Sequence, residues 1–306
     1  PVGDATFDGR MAMVSGERTL DEAFEQAGGR AEAAKTIAAI VWNKTEAMTQ
    51  EDLQGITNPN LLIYVSSREL APQGFENVIA NGVARSITLT DAAEGNSDFY
   101  CPIGFTAESI IYERVFRQET ETGVSRGWET LVLPFNVQTV IHERNGLLCP
   151  FGSTVSNTHF WLRQLTGGGL ARATQIMANT PYLISMPNSS DYHDEYNLAG
   201  RVIFAAEDVA VPATPQASAL QVTAGSVTLV PALQRVAQSD SVYALNVGAV
   251  RGSYAEGSVF ERGLREVRPF ECYTLHSATG SGAPRFIPLS SGMGGTTGIQ
   301  EIDDMR

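Results

Sequence analysis

The 306-residue chain is poor in cysteine, lysine and aromatics: three cysteines, two lysines among 21 basic residues, and 8 % Phe, Trp and Tyr. Three thiols cannot staple a chain of this length, so a packed core must hold it together rather than a disulfide framework. None sits in a C-x-x-C pair, which removes zinc-ribbon and thiol-redox readings. Basic side chains are outnumbered by 34 acids, for a net charge of −13. Nucleic-acid phosphates and anionic lipids both reward clustered Lys and Arg, so neither is an expected partner. The longest apolar run, Ile37–Trp42, falls far short of the ~20 residues of a bilayer-crossing helix, and no membrane-spanning segment is expected. There is no G-x-S-x-G elbow, phosphate loop or dinucleotide fingerprint, and no cofactor is expected.

What is present is an ordinary apolar fraction, 43 %, in a chain at the upper limit for one core; this predicts two parts. Charge divides unevenly, with 16 acids and seven bases in residues 1–110, which places a boundary near residue 110. Helical signals are confined to the start. Thr19 with Glu22 forms a capping-box pattern, and Leu20, Ala23, Phe24 and Ala27 make one apolar stripe before Gly28-Gly29. A second short helix is predicted at Thr49–Gly55. Strands are predicted at Ile37–Trp42, Leu61–Val65, Asn77–Ala80, Ile87–Leu89 and Ser109–Phe116, with Asn81-Gly82 as a hairpin turn.

Beyond residue 126 the pattern is all β. Leu131, Leu133, Phe135 and Val137 alternate with Val132, Pro134 and Asn136, predicting one buried face on a strand that Pro134 bends or puts at an edge. Further short strands are predicted at Phe160–Leu165, Tyr182–Met186, Val202–Ala206, Val227–Val230, Val242–Val247, Phe270–Leu275 and Arg285–Leu289, with Gly167-Gly168-Gly169 as a flexible loop. The expected fold is mainly β: a C-terminal antiparallel β-sandwich at 116–290 after a smaller mixed α/β part at 1–115. The tail 291–306 reads as a flexible linker, which implies a missing downstream partner. Leu53, Ile56, Asn58 and Leu61 resemble a leucine-rich repeat, but no constant period follows, so a solenoid-like N-terminal part is the minority option.

Candidate chemistry is sparse. His142, His159, His193 and His276 lack metal-ligand spacing. Cys101, Cys149 and Cys272 are expected as buried thiols, with a Cys101–Cys149 disulfide as the alternative; Cys272 and His276 would stand about 13 Å apart along a strand, too far for a nucleophile–base pair. The densest polar cluster is Asp191, Tyr192, His193, Asp194, Glu195 and Tyr196. It is expected as a solvated loop, with Tyr192 and Tyr196 exposed beside the acids and available to a ligand. Of the tryptophans beyond residue 126, Trp128 is expected in the core, and Trp161 is a candidate sugar face. Paired carboxylates for glycoside hydrolysis are not legible in a sequence, because the two meet only in three dimensions.

Three segments carry a resemblance: Trp128-Glu129-Thr130-Leu131-Val132-Leu133-Pro134-Phe135, Ala178-Asn179-Thr180-Pro181-Tyr182-Leu183-Ile184 and Val267-Arg268-Pro269-Phe270-Glu271-Cys272-Tyr273. In order and wording they resemble uncharacterised secreted or surface proteins of gut Bacteroidetes, in which such segments often follow leucine-rich repeats. Ala39–Asn43 and Asn58–Val65 are similar to upstream segments of the same proteins. That resemblance implies an extracellular or cell-surface location, outer-membrane associated or periplasmic, and brings no catalytic residues. Asp240-Ser241-Val242 also resembles the O-glycosylation signal of exported proteins of these bacteria, which would make Ser241 a modification site. The expectation is a non-enzymatic binding or adhesion protein with an extracellular glycan or protein ligand. A polysaccharide-processing enzyme and a structural spacer are the alternatives.

Overall fold

A computed structural model describes residues 3–92, 94–117, 127–154, 158–190 and 192–289. The tail 291–306 and Asp191 lie outside the described residues. The chain is mainly β and divides into two units, Pro1–Tyr112 with Ala206–Thr214, and Glu113–Ala205 with Pro215–Arg306. The first unit is therefore discontinuous, since a later stretch returns to it.

The first unit holds β1 (Ala5–Phe7), β2 (Met11–Ser15), α1 (Leu20–Phe24), α2 (Arg30–Ala33), β3 (Ala39–Asn43), β4 (Leu62–Val65), β5 (Val78–Ala80), β6 (Val83–Ala84), β7 (Ile87–Thr90) and the start of β8 (Phe105–Val115). Helix α1 starts where its capping box predicts: Thr19 Oγ1 accepts from the Glu22 N–H while the Glu22 carboxylate accepts from the Thr19 N–H. Strands β2, β3, β4 and β5 run parallel, with Met11 beside Ala39, Ala39 beside Leu62 and Ile63 beside Val78. Parallel strands covered on both faces read as unbroken apolar runs, and β4 is buried at every position. The chain length between successive register partners shrinks along the stack, which is why no fixed period marks the sequence. Asn81 and Gly82, both at positive φ, turn β5 into β6 as predicted.

One prediction fails here, and one element was not predicted. No strand was predicted at Ala5–Phe7 or Met11–Ser15, which form the short β1–β2 hairpin, with β2 also paired to β3. Thr49–Gly55 is a series of turns rather than a helix. Its Thr49–Asp52 side chains do cap each other, but a costly nucleus with no apolar stripe to dock does not propagate.

Buried asparagines tie the stack together. Asn60 donates to the carbonyls of Thr90 and Ser97 and accepts from the Thr90 N–H; Asn58 donates to Ile37 and Asp98, and Asn77 to Pro59 and Thr88. Each side-chain amide has both donors and an acceptor, so it can replace a missing ladder for backbone groups that leave a strand.

The second unit contains β9 (Glu129–Leu131), β10 (Thr139–His142), β11 (Gly146–Pro150), β12 (His159–Thr166), β13 (Gly169–Arg172), β14 (Tyr182–Ser185) and most of the first half of β15 (Arg201–Val211). One sheet has the order β15-β10-β11-β12-β14-β9, with β13 hairpinned onto β12. After α3 (Ala217–Leu220), a second sheet of β16 (Val222–Ala224), β17 (Val227–Ala232), β18 (Tyr243–Leu245), β19 (Val259–Arg262), β20 (Glu271–His276) and β21 (Phe286–Pro288) has the order β16-β17-β20-β18-β19-β21. Pairing is antiparallel apart from two residues between β11 and β12. Gly167-Gly168 is the tight turn of the β12–β13 hairpin. The predicted alternation over Leu131–Val137 does not hold. Strand β9 stops at Leu131, and Leu131, Val132, Leu133 and Phe135 are all buried, because the chain leaves the ladder before Pro134 and is enclosed on both sides.

Candidate functional site

The segments Trp128–Phe135, Ala178–Ile184 and Val267–Tyr273 meet inside the second unit, and they meet as scaffold. Tyr182, Leu183 and Ile184 pair with Leu131, Thr130 and Glu129. Thr130 Oγ1 accepts from the Cys272 N–H at 2.8 Å, the Val132 N–H donates to Phe270, and the Asn179 N–H donates to Leu133 at 2.7 Å. Asn179 and Phe270 hold positive φ, a conformation side chains rarely adopt unless the surroundings impose it. Gly257 packs onto the same knot: a Cβ there would lie 2.5 Å from the Trp128 carbonyl oxygen. Burial raises the Cys272 thiol pKa, so it is an inert packing group. Cys101 is likewise a buried thiol outside any disulfide, pushed up to about 11 by burial, and Cys149 is buried and not disulfide-bonded.

Beside the knot lies a buried ion pair. Arg114 donates to Glu129 Oε2 and to the Thr130 carbonyl (2.8 Å), and the other Glu129 oxygen accepts from the Arg117 N–H (2.6 Å). Glu271 is gripped by Arg265. Burial alone would raise its carboxyl, yet the guanidinium holds it below the usual carboxylate range. These charges are spent on structure.

The 192–196 loop departs from expectation in one respect. Tyr192 is buried, 4 % exposed, because Phe151, Trp161 and Tyr192 form a column of rings with centroid spacings of 5.4 and 6.5 Å. That column also withdraws Trp161 from any sugar face. His193, Asp194 and Glu195 are exposed and Tyr196 is half-buried. The loop backbone is held from below by one amide: Asn145 Nδ2 donates to the carbonyls of Asp194, Glu195 and Asn197. Asn145 is set in turn by His142, whose Nδ1 accepts from the N–H groups of Arg144 and Asn145 and whose Nε2 faces the Ala199 carbonyl at 3.2 Å. With Nδ1 accepting, the proton sits on Nε2, and burial lowers the imidazole pKa. Among the described residues no three His, Cys, Asp or Glu side chains converge as metal ligands would.

A groove lies elsewhere in the same unit. A groove of about 610 Å³ is framed by Asn136–Val140, Leu147–Pro150, Gly152–Thr154, Phe160 and Thr174–Met177. Strand β10 and the start of β11 supply one wall, and the 174–177 segment supplies the other, pinned by the Val137 N–H to Ile176 and the Ala178 N–H to Asn136 Oδ1. Among the described residues its lining is amides, hydroxyls, apolar groups and the Cys149 thiol, with no carboxylate; the Arg172 guanidinium stands beside Gly152 at its edge. Met177 (44 % exposed) and Leu147 (40 %) stand at its mouth. Sequence reasoning missed this groove, because its residues carry no titratable motif and come from four separated stretches.

Two further depressions lie away from this groove. Ser241 is exposed in the turn before β18, on the rim of a depression of about 620 Å³ shared with His276 and Thr279. A polar notch of about 270 Å³ in the first unit holds Asp21, Glu51 and Asp52. There Asp21 is tied to Arg30 at 2.7 Å and Asp52 caps the Thr49 turn, so two of its three carboxylates have structural partners. Among the described residues no helix is long and apolar enough to cross a membrane. Comparison with protein-family models, with curated proteins and with solved structures returned no match.

Proposed function

We propose that the chain is a non-enzymatic binding module of the cell surface, taking an extracellular ligand, glycan or protein, into the groove between β10–β11 and the 174–177 segment. One observation carries this reading. The groove is lined by neutral hydrogen-bonding and apolar side chains, which suit retention of a ligand, and its described lining residues include no carboxylate, histidine or lysine to serve as acid or base. Two-carboxylate hydrolysis needs its pair of acids at the bond to be broken, and this groove offers none. The surface location rests on the resemblance of the three knot segments to secreted and surface proteins.

A second contact surface is favoured by a separate observation: the 192–196 loop has a fixed backbone and outward-pointing His193, Asp194 and Glu195. Display on a combined glycan and extracellular-protein array tests both, with Gln175→Arg probing the groove and Asp194→Ser/Glu195→Ser the loop. Binding abolished by the groove substitution and kept by the loop double substitution is expected. An array on which the wild type captures nothing, or release of cleaved sugars from a bound polysaccharide, would refute the proposal. Confinement to the cytoplasm on cell fractionation would refute the surface location.

A further inference from the structure

We infer that the groove takes an uncharged glycan chain, an inference that rests on the groove being the ligand site. The first reason is charge. A uronate or sulfate laid here would lose water and meet no cation among the described lining residues, only Arg172 beside Gly152 at the edge, in a chain of net charge −13. A cationic ligand would find no carboxylate in the lining.

The second reason is the match of hydrogen-bonding type. A sugar hydroxyl both donates and accepts, and a side-chain amide answers both roles. Gln175 is exposed, and its amide has no partner among the described residues. Asn136 uses only its oxygen, on the Ala178 N–H, which leaves its NH₂ for a ligand. Thr139 and Thr174 add exposed hydroxyls beside them. Met177 and Leu147 give the apolar C–H faces of sugar rings something to lie against, and unbranched methionine adapts to their shape.

The third reason disfavours an extended peptide. Peptides that bind to sheets commonly satisfy their backbone by adding a strand to an open edge. Over Val140–His142 strand β10 is paired with β15 on one side and β11 on the other, and β11 in turn meets β12 at Cys149 and Pro150, the latter opposite Phe160. Strand pairing thus leaves little continuous edge for a peptide backbone at this wall. The volume, about 610 Å³, lies within the ordinary range for ligand clefts and admits a short stretch of sugar rings.

Titration calorimetry of the whole chain with cellohexaose, xylohexaose, mannohexaose, maltohexaose and hexagalacturonate tests this. At least one neutral hexasaccharide should bind and the hexagalacturonate should not. Gln175→Ala/Met177→Ala should weaken binding at least tenfold. Gln175→Ala alone, at an exposed position, serves if the double variant shows a changed thermal melt. Hexagalacturonate binding tighter than every neutral sugar would overturn the inference. So would a groove-sensitive protein or peptide ligand on the array with no sugar binding, although the binding-module reading would then stand. Silence of both the array and the calorimeter would remove that reading together with the inference.

Discussion

The Arg114–Glu129 pair is the most informative place to perturb the second unit. Both side chains are almost fully buried, at 5 and 3 % exposure, so their attraction is little screened by solvent or salt. Arg114→Met leaves a buried carboxylate without its guanidinium, and Glu129→Leu leaves a buried guanidinium without its carboxylate. Each single substitution should destabilise by about 3–5 kcal/mol, the usual consequence of stranding one buried charge. The double substitution removes both charges at once. What remains unmet is the Arg117 N–H and the Thr130 carbonyl, at about 1 kcal/mol each, so the pair of changes together should cost about 2 kcal/mol, less than either alone. Urea unfolding followed by tryptophan fluorescence, with Trp128 next in sequence to Glu129, measures all four corners of the cycle. Single variants within 1 kcal/mol of wild type, or a double variant equal to the sum of the singles, would refute the reasoning. Raising the salt concentration should leave the coupling unchanged.

Asn60→Ala removes three bonds and strands the Thr90 N–H together with the Thr90 and Ser97 carbonyls; a loss of about 3 kcal/mol is expected in the first unit, read from Trp42 fluorescence in urea. Gly82→Ala meets nothing within 4 Å but keeps φ at +79°, so it should cost only about 1–2 kcal/mol and leave the circular dichroism intact. Gly257→Ala, with the Trp128 backbone 2.5 Å from the new carbon, should be far worse and yield insoluble or unfolded protein on expression. His142 tests the loop support. Burial lowers its pKa, so the unfolded chain takes a proton that the folded chain refuses. Its contribution is complete above about pH 6.5 and falls away as the pH drops below that, at no more than about 1.4 kcal/mol per pH unit. Urea midpoints of wild type and His142→Gln between pH 7.5 and 5 should converge as acid is added; a constant gap would contradict the assignment.

Legibility in the sequence followed the range of each signal. The α1 cap, the Asn81-Gly82 turn and the short strands beyond residue 126 depend on neighbours within a few residues, and the structure places them close to where the spacing does. Tyr192 was misread as exposed because its burial comes from Phe151 and Trp161, which are distant in sequence. The β1–β2 hairpin was not predicted, and β2 is also paired to β3. Asn77 reads as part of a strand and Asn58 as part of a repeat-like pattern, while in the fold Asn58, Asn60 and Asn77 replace missing backbone ladders. The groove left no mark at all. Gln138, Thr174 and Gln175 are ordinary surface residues until the backbone sets them across from one another.

The knot formed by the segments around Trp128, Tyr182 and Phe270 carries a further consequence. Most of it is buried, and none of its residues lines the groove. Recognition and support are thus divided between different amino acids, so the grip can be rewritten by substitution at Asn136, Gln175 or Met177 while the frame stands. Kinship detected through those segments would speak of shared architecture and stay silent on what each member holds.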